Sequence, residues 1–231
     1  HSPYLNKELS AKNIFLKLEC FQHTGTFKAR GAISVSSSIS LENQKKGFTA
    51  ASAGNHAIAA AWAARKMGTS AKVVMRSTAN PYRIARVKEE MAEIKIVHDV
   101  KELFEEAEKL VKEEKRTFIH PFEGINTTLG TAGVGLEFIE EVPKLDLVIV
   151  SVGGGGLISG VASSIKLINS NCQVVGVEPL GANSMYTSFK KGKPTYVKDE
   201  KKKKYVVSDK NEFAEYEYKK EFTTIFPRMW S

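Results

Sequence analysis

The sequence predicts an α/β fold in which parallel sheets are covered by helices. Apolar segments rich in Val and Ile alternate with helical segments, and the connections between them are short. The chain has 231 residues, 42% of them hydrophobic, which is enough to bury a substantial core in one large domain or two small ones. No internal repeat is found along the chain.

The first predicted strand covers residues 14–18, where Ile14, Leu16 and Leu18 share one face because side chains alternate along a strand. Short apolar runs of strand length recur further along the chain. They predict strands at residues 48–51, 71–75, 94–97, 117–120, 145–150 and 173–177.

Helices are predicted between these strands. An alanine-rich segment at 56–67 stops at Gly68, and Pro81 suits the first turn of a helix that runs to about residue 91. The other predicted helices cover residues 27–37, 100–114, 133–141 and 157–167. After about residue 199 the periodicity fails, and the sequence up to residue 231 predicts no element.

The net charge of +8 comes mostly from the lysine-rich stretch 190–231, which is typical of a solvated segment rather than of a nucleic-acid surface. Cys20 and Cys172 lie far apart without the spacing of a metal or redox motif, so two buried free thiols in a reducing compartment are expected. No apolar run has the length of a membrane span, and no signal peptide is visible. These observations favour a cytoplasmic protein without nucleic-acid or membrane partners.

Four consecutive glycines stand between a predicted strand and a predicted helix: Gly153, Gly154, Gly155 and Gly156. They remove every Cβ from the turn, so backbone N–H groups can converge on an anion at the positive end of the helix dipole. A flexible linker is the alternative, but linkers do not usually join a buried strand to an apolar helix. The spacing matches neither a Walker loop nor the dinucleotide fingerprint. A phosphate cradle is therefore the favoured interpretation.

A second turn, residues 24–32, places Lys28 directly after Phe27 at the start of a predicted helix. An ordinary surface lysine is one interpretation, although a positive charge in the first helical turn opposes the helix dipole. A desolvated amine able to form a Schiff base is the other. The residues alone leave both interpretations open.

A third turn, residues 51–57, contains Ser52, Asn55 and His56. Ser52 and Asn55 suit N-capping of the helix that follows, which would be a purely structural role. The free N–H groups at this helix start would also receive a carboxylate. His56 has a plain alternative as a histidine on the helix surface.

These three turns, in this order, resemble the pyridoxal-phosphate (PLP) dependent dehydratases related to tryptophan synthase β subunits, namely threonine and serine dehydratases, with serine racemase close by. The similarity runs from Ser2 to about Lys198 and includes residues 16–19, 120–122 and 177–179. It implies a tryptophan synthase β-like fold, with two open twisted sheets flanked by helices and the cofactor in the cleft between two domains.

The same resemblance implies how the chain is divided. The larger, PLP-binding domain would be formed by residues 1–32 and 121–231, with a C-terminal part that is incomplete or divergent because the family pattern fades after Lys198. The smaller domain would cover residues 33–120.

The resemblance also implies roles for individual residues. Lys28 would hold pyridoxal 5′-phosphate as a Schiff base and later move the Cα proton, Phe27 would pack on a ring face, and Asn55 would bind the ring 3′-oxygen. The phosphate would be bound by Gly153, Gly154, Gly155, Gly156 and Leu157. The substrate carboxylate would be bound by the segment Ser52, Ala53, Gly54, Asn55 and His56.

The implied activity is that of an ammonia-lyase (dehydratase) that converts L-threonine or L-serine to a 2-oxo acid and ammonia. A serine racemase, or another PLP enzyme of β-elimination or β-replacement, is the alternative within the class, and a catalytically impaired PLP-binding protein is the alternative outside it. The implied partners are a small-molecule amino-acid substrate and further copies of the chain in a dimer or tetramer.

The sequence departs from the family at three places. Ala53 stands where serine racemases have a serine that acts on the opposite face of the substrate, which favours the dehydratase because alanine moves no proton. Residues 131–133 are Thr-Ala-Gly where Gln-Gly-Thr is usual, which leaves the substrate preference open. Glu178 and Ala182 match two ligands of a racemase cation site, but Ser184 replaces the third, so no metal is expected.

Overall fold

The computed structural model describes residues 1–10, 13–193, 204–209 and 212–217. The chain divides into two compact units, one formed by residues 19–131 and the other by residues 1–18 with the residues from 132 onward. These bounds differ from those of the predicted domains, and the division into a larger and a smaller domain stays a prediction. In the described ranges, no helix is long and apolar enough to cross a bilayer.

The helices, in chain order, are α1 (Pro3–Glu8), α2 (Lys28–Ser38), α3 (Leu41–Lys45), α4 (Asn55–Lys66), α5 (Pro81–Glu89), α6 (Val100–Glu113), α7 (Ile125–Glu141), α8 (Gly156–Ile168) and α9 (Ser184–Lys191). Single 3₁₀ turns occur at Glu19–Phe21, His23–Gly25 and Leu180–Ala182.

The strands are β1 (Phe48–Ala51), β2 (Ala71–Arg76), β3 (Glu93–Val97), β4 (Thr117–Phe118), β5 (Leu147–Ser151), β6 (Gln173–Pro179), β7 (Lys204–Asp209) and β8 (Glu212–Glu217). The unit 19–131 contains a parallel sheet with the strand order β3-β2-β1-β4. Helices α4, α5 and α6 connect its successive strands, as parallel pairing requires.

The parallel sheet is covered on both faces, which explains why its central strands β1 and β2 are buried along most of their length. On one face Phe48, Val73 and Met75 pack with α4, and on the other Val74 packs with α6. Helix α4 is buried along nine consecutive residues from His56 to Ala64. Its alanines are small enough for close approach on every side, which is why a helix without an apolar stripe is stable here.

The second sheet has the order β5-β6-β7-β8, in which β5 and β6 are parallel and the other neighbours are antiparallel. Val148 and Val150 of β5 pack with Val161 and Ile165 of α8 in the core of this unit. The stretch that the sequence left without a prediction thus contributes two strands, β7 and β8, to a mixed sheet.

Most predicted elements are confirmed within a few residues, but two predictions are wrong. Residues 14–18 form no strand. Leu16 and Leu18 are each about half exposed, and the segment pairs with no other strand among the described residues. Helix α7 begins at Ile125 instead of residue 133. A side chain at Gly130 would collide with the Arg30 carbonyl of α2, so close packing forms a helix where intrinsic propensity is low.

Candidate functional site

The strand order of the parallel sheet defines a point where a ligand site is expected. The chain builds β1, β2 and β3 outward in one direction and then returns to place β4 on the other side of β1. In open α/β sheets, ligands bind at the carboxyl ends of the strands where the order reverses in this way. The segments that leave β1 and β4 there begin at Ser52 and Ile119.

The Lys28 amine lies at this switch point and is held there by a hydrogen bond. It is the first residue of α2 and is half-buried, and its Nζ donates a hydrogen bond to the Pro121 carbonyl oxygen, three residues after β4. The Nζ atom also lies 5.1 Å from the ring centroid of Phe27. Burial lowers the pKa of the Lys28 amine, so it loses its proton more readily than an exposed lysine does.

His56, in the first turn of α4, is turned inward and is only 4% exposed. Its Nε2 lies 2.8 Å from the Ile119 carbonyl oxygen, so Nε2 carries the ring proton and donates it. Burial is the main reason why the pKa of His56 falls to about 4, and the charges of Lys28 and His120 lower it further. The imidazole is therefore neutral at pH 7, and its contribution to binding a carboxylate would come from its backbone N–H.

The N-terminus of α4 has no side-chain cap. The N-cap residue is Gly54, and no side chain accepts a hydrogen bond from the first-turn amides. Ser52 Oγ instead accepts from the Gly54 N–H at 3.1 Å, so the expectation that Ser52 or Asn55 caps this helix is wrong. Asn55 is half-buried, and its side chain makes no hydrogen bond to any described residue. Ala53 packs against the core of the unit.

A positively charged side chain, that of Arg83, lies beside this loop. A Cβ atom at Gly54 would be 3.2 Å from Nη1 of Arg83, an exposed residue in the first turn of α5. Arg83 is not predicted from the sequence, because its neighbours in the sequence do not distinguish it from other surface arginines. The Ile119 and Pro121 carbonyl groups are not predicted either, although the match at residues 120–122 pointed to their segment.

The glycine turn belongs to the other unit, between β5 and α8. Gly155 is the N-cap of α8 in a left-handed conformation with φ +86°, and no side chain caps this helix either. A Cβ atom at Gly155 would lie 2.7 Å from Met185 Cε, whereas one at Gly153 would meet nothing within 4 Å. Gly154 is exposed, Gly156 is buried as the first residue of α8, and Leu157 packs on the core. The turn therefore presents amides without a competing side chain, which suits an anion.

Glu178, the first of the two weak candidate metal ligands, binds backbone N–H groups of α9. Its buried carboxylate accepts hydrogen bonds from the backbone N–H groups of Met185 at 3.0 Å and Tyr186 at 2.8 Å, which caps α9. Burial raises the pKa of Glu178 against the lowering effect of these two bonds. Ala182, the second candidate, is an exposed residue of a 3₁₀ turn. The described residues contain no cluster of three His, Cys, Asp or Glu side chains that could hold a metal. Both thiols are free, but the expectation that both are buried is wrong for Cys20, which is exposed, whereas Cys172 is buried.

The structure thus brings together one part of the predicted site. Lys28, Phe27 and the segment from Ser52 to His56 lie around the switch point of the unit 19–131, where His56 and Lys28 bind neighbouring carbonyl groups. The glycine turn lies in the other unit.

Comparison with known proteins identifies relatives. Residues 1–218 match the family described as pyridoxal-phosphate dependent enzymes. The chain is 46% identical over 178 residues to the phenylserine dehydratase of Ralstonia pickettii, which covers 77% of this chain and 55% of that protein. It is 37% identical over 187 residues to the L-threonine ammonia-lyase of Thermotoga maritima, which covers 80% of this chain and 47% of that protein.

A solved structure with a similar fold is that of maize serine racemase. It superposes with a TM-score of 0.81 at 34% sequence identity, and the match covers 84% of this chain and 59% of the racemase chain. The chain spans about half the length of the curated relatives it matches.

Proposed function

We propose that this chain deaminates a β-hydroxy amino acid. The premise is that it belongs to the family of pyridoxal-phosphate dependent enzymes and, within that family, to the threonine and serine dehydratases. The substrate would be L-threonine or L-serine. The observation that carries this proposal is the half-buried Lys28 amine with its lowered pKa, held at the switch point next to an uncapped helix.

The family's cofactor is pyridoxal 5′-phosphate, and the residues of this chain fit it. Lys28 offers an amine that is easily deprotonated, and the turn at Gly155 offers uncapped amides for a phosphate. In the proposal, Phe27 packs on the ring and Asn55 binds a ring oxygen. The phosphate is bound by Gly153, Gly154, Gly155, Gly156 and Leu157. When bound, the cofactor supplies an electron sink for the electrons left at Cα.

Lys28 is the residue proposed to move the proton. Its amine takes the proton from the substrate Cα, and because burial lowers its pKa, the neutral, proton-accepting form is more available than in an exposed lysine. The Pro121 carbonyl accepts a hydrogen bond from Nζ and so holds the protonated amine in place for the next transfer. Loss of the β-hydroxyl as water then gives an enamine, which hydrolyses to the 2-oxo acid and ammonia.

The segment from Ser52 to His56 is proposed to bind the substrate carboxylate. The first amides of α4 and the Ser52 hydroxyl are hydrogen-bond donors, and the helix dipole adds positive potential. Orientation by a fixed carboxylate contact matters because small misplacements of a reacting group are expensive. Ala53 has no group that exchanges a proton, so elimination is proposed to dominate over racemisation.

A second candidate substrate is 3-phenylserine, which the relative from Ralstonia pickettii is named for. Phe122 directly follows Pro121. The residue is 41% exposed, and its ring lies edge-on to that of His120 at 4.7 Å between centroids. An exposed aromatic ring so close to the Lys28 contact offers a surface on which a substrate phenyl group could pack. Replacing Phe122 with alanine would then reduce turnover of phenylserine more than that of threonine.

One experiment tests the proposal. The purified protein, loaded with PLP, is given L-threonine, L-serine and L-threo-3-phenylserine in turn, and the 2-oxo acid and ammonia are measured. Equal amounts of both products with at least one substrate support the lyase. Racemised amino acid as the main product supports the racemase, and a bound cofactor without any product supports a catalytically impaired binding protein.

We propose a small-molecule amino-acid substrate, no nucleic-acid or membrane partner, a homo-oligomer in the form of a dimer or tetramer, and a cytoplasmic location. The division into a larger and a smaller domain with the cofactor between them, and the absence of a metal, belong to the same proposal.

A further inference from the structure

Arg83 lies against the glycine that begins α4. A Cβ atom at Gly54 would be 3.2 Å from Arg83 Nη1 and 4.0 Å from Ser52 Oγ, so the guanidinium and the hydroxyl lie around the same point beside the loop. Glycine at position 54 leaves the space that the guanidinium uses. Arg83 is thereby close to the segment proposed to bind the substrate carboxylate.

This location is electrostatically unusual. The N-terminus of α4 is uncapped and carries the positive end of the helix dipole, so a guanidinium beside it is repelled unless an anion lies between them. Arg86, one turn further along α5, has Glu89 at 3.1 Å. The Arg83 backbone N–H donates to the Asn80 carbonyl, but its guanidinium makes no ion pair or hydrogen bond within the described part of the chain.

The Ser52 hydroxyl and the Arg83 guanidinium are therefore hydrogen-bond donors for which the described residues supply no acceptor. The Ser52 oxygen already accepts from the Gly54 N–H, and its hydroxyl proton has no acceptor among residues 1–10 and 13–193. Arg83 can only donate, and so can the first amides of α4. The complementary ligand is acceptor-only and negatively charged. A carboxylate meets both requirements, and its two oxygens match the planar fork of a guanidinium.

We propose that Arg83 binds the carboxylate of the amino-acid substrate together with Ser52 and the first turn of α4. This inference rests on the proposed function, because that function supplies the amino acid. It makes a free carboxylate a condition of tight binding, so an amino-acid amide would gain nothing from Arg83.

Kinetics test this role through a KM effect. In Arg83→Met, KM for L-threonine is expected to rise about tenfold, as for the loss of one charge-assisted hydrogen bond, while kcat stays within about twofold. Arg83→Lys keeps the charge without the fork and is expected to fall between. Lys88→Met, on the exposed face of the same helix, removes one positive charge and serves as the matched control.

A labelling experiment on the wild-type protein gives a second readout that needs no turnover. Phenylglyoxal modifies exposed arginines, and mass spectrometry follows the peptide that contains Arg83. L-Alanine, which has a carboxylate but no β leaving group, is expected to slow this modification severalfold, and L-alaninamide is expected to leave it unchanged. The peptide that contains Arg65, an exposed arginine of α4 that pairs with Glu90, is the internal reference, and L-alanine should not change its labelling.

The outcomes separate the two proposals. If the wild type deaminates threonine but Arg83→Met and Lys88→Met share its KM, the role of Arg83 is overturned and the proposed function stands. If no β-hydroxy amino acid is turned over, the proposed function fails, and labelling decides about Arg83. Equal labelling with and without L-alanine overturns the inference, and protection by L-alanine alone supports it even if the variants fail to fold.

Discussion

The Nε2 atom of His56 lies 2.8 Å from the carbonyl oxygen of Ile119, and this bond joins the first turn of α4 to the residue that follows β4. Two residues further on, the Pro121 carbonyl accepts from the Lys28 amine. The neutral imidazole thus connects the loop after β1 to the segment that contacts Lys28. Because His56 is buried, this connection depends on the protonation state of the ring.

The first prediction concerns stability at acidic pH. The pKa of His56 is about 4 in the folded chain and about 6.5 when exposed, so the unfolded chain binds a proton over this range and the folded chain does not. The contribution of His56 to the free energy of unfolding is therefore fully present above pH 6.5 and is lost as the pH falls towards 4. The loss is on the order of 3 kcal/mol, and urea unfolding across this pH range measures it.

His56→Gln is the matched variant, because the Gln amide can still donate to the Ile119 carbonyl but does not titrate. Its unfolding free energy should change much less between pH 6.5 and 4. Burial also lowers the pKa of His120, which contributes with the same sign and remains in the variant. An unchanged pH dependence in His56→Gln would show that His56 is not the group responsible.

The second prediction is that Lys28 carries the cofactor. Lys28→Ala should abolish the visible absorbance of bound PLP, any borohydride-reducible attachment and all turnover, because no other amine of the residues that the structure describes bonds to the segment after β4. Lys66→Ala, an exposed lysine at the end of α4, is the control and should keep all three. A cofactor found reduced onto a different lysine in Lys28→Ala would contradict the assignment.

The third prediction separates backbone strain from phosphate binding. Gly155 and Gly192 are both left-handed, with φ of +86° and +63°. Alanine at either position should reduce the free energy of unfolding by about 1 kcal/mol. Only Gly155→Ala should also weaken PLP binding, by about tenfold, since its Cβ would displace Met185 at the turn. Titration of the cofactor-free variants with PLP measures this, and equal affinities would argue against the cradle.

Much of the fold was predictable because its parallel strands and alanine-rich helix are encoded locally. Phe48–Ala51 was predicted to the residue, and α4 within one residue at each end. The N-terminal half of α7 was not, since the Thr and Gly residues there are weak helix formers and the close approach to α2 at Gly130 depends on the tertiary structure. The alternation at residues 14–18 predicted a strand because no local signal reports whether a partner strand exists.

The parts of the candidate site at which glycine or lysine occurs in a turn were predictable. The parts that depend on backbone carbonyl groups, such as those of Ile119 and Pro121, were not. The turns at Lys28, Ser52 and Gly153 were identified from the sequence, and their proposed roles still await a test. The inward orientation of His56 and its bond to a carbonyl group depend on the tertiary structure, because the same residue on the helix surface would have the same sequence neighbours. Arg83 reaches Gly54 only because α5 packs against α4.

The fourth prediction concerns Glu178 and has the opposite sign to that of His56. Its pKa is raised in the folded chain, so the folded state binds a proton more tightly than the unfolded state does. The resulting stability is present below pH 4.5 and is lost as the pH rises through the folded pKa. Glu178→Gln should remove this slope in a thermal unfolding series. A variant with the slope of the wild type would contradict the assignment, and addition of MgCl₂ should leave the wild-type Tm unchanged.

The last prediction concerns the choice between elimination and racemisation, and it depends on Ala53. Racemisation needs a second group that delivers a proton to the face of Cα opposite Lys28, and an alanine side chain has none. With L-serine, pyruvate should therefore accumulate far faster than D-serine, as chiral chromatography of the reaction mixture would show. Ala53→Ser adds a hydroxyl at this position and should raise the rate of D-serine formation while Lys28 continues to remove the proton. Ala53→Gly removes the methyl group without adding a hydroxyl, so it controls for altered packing and should leave the product ratio unchanged. D-serine as the main product of the wild type would contradict the dehydratase, because it would require an acid other than residue 53.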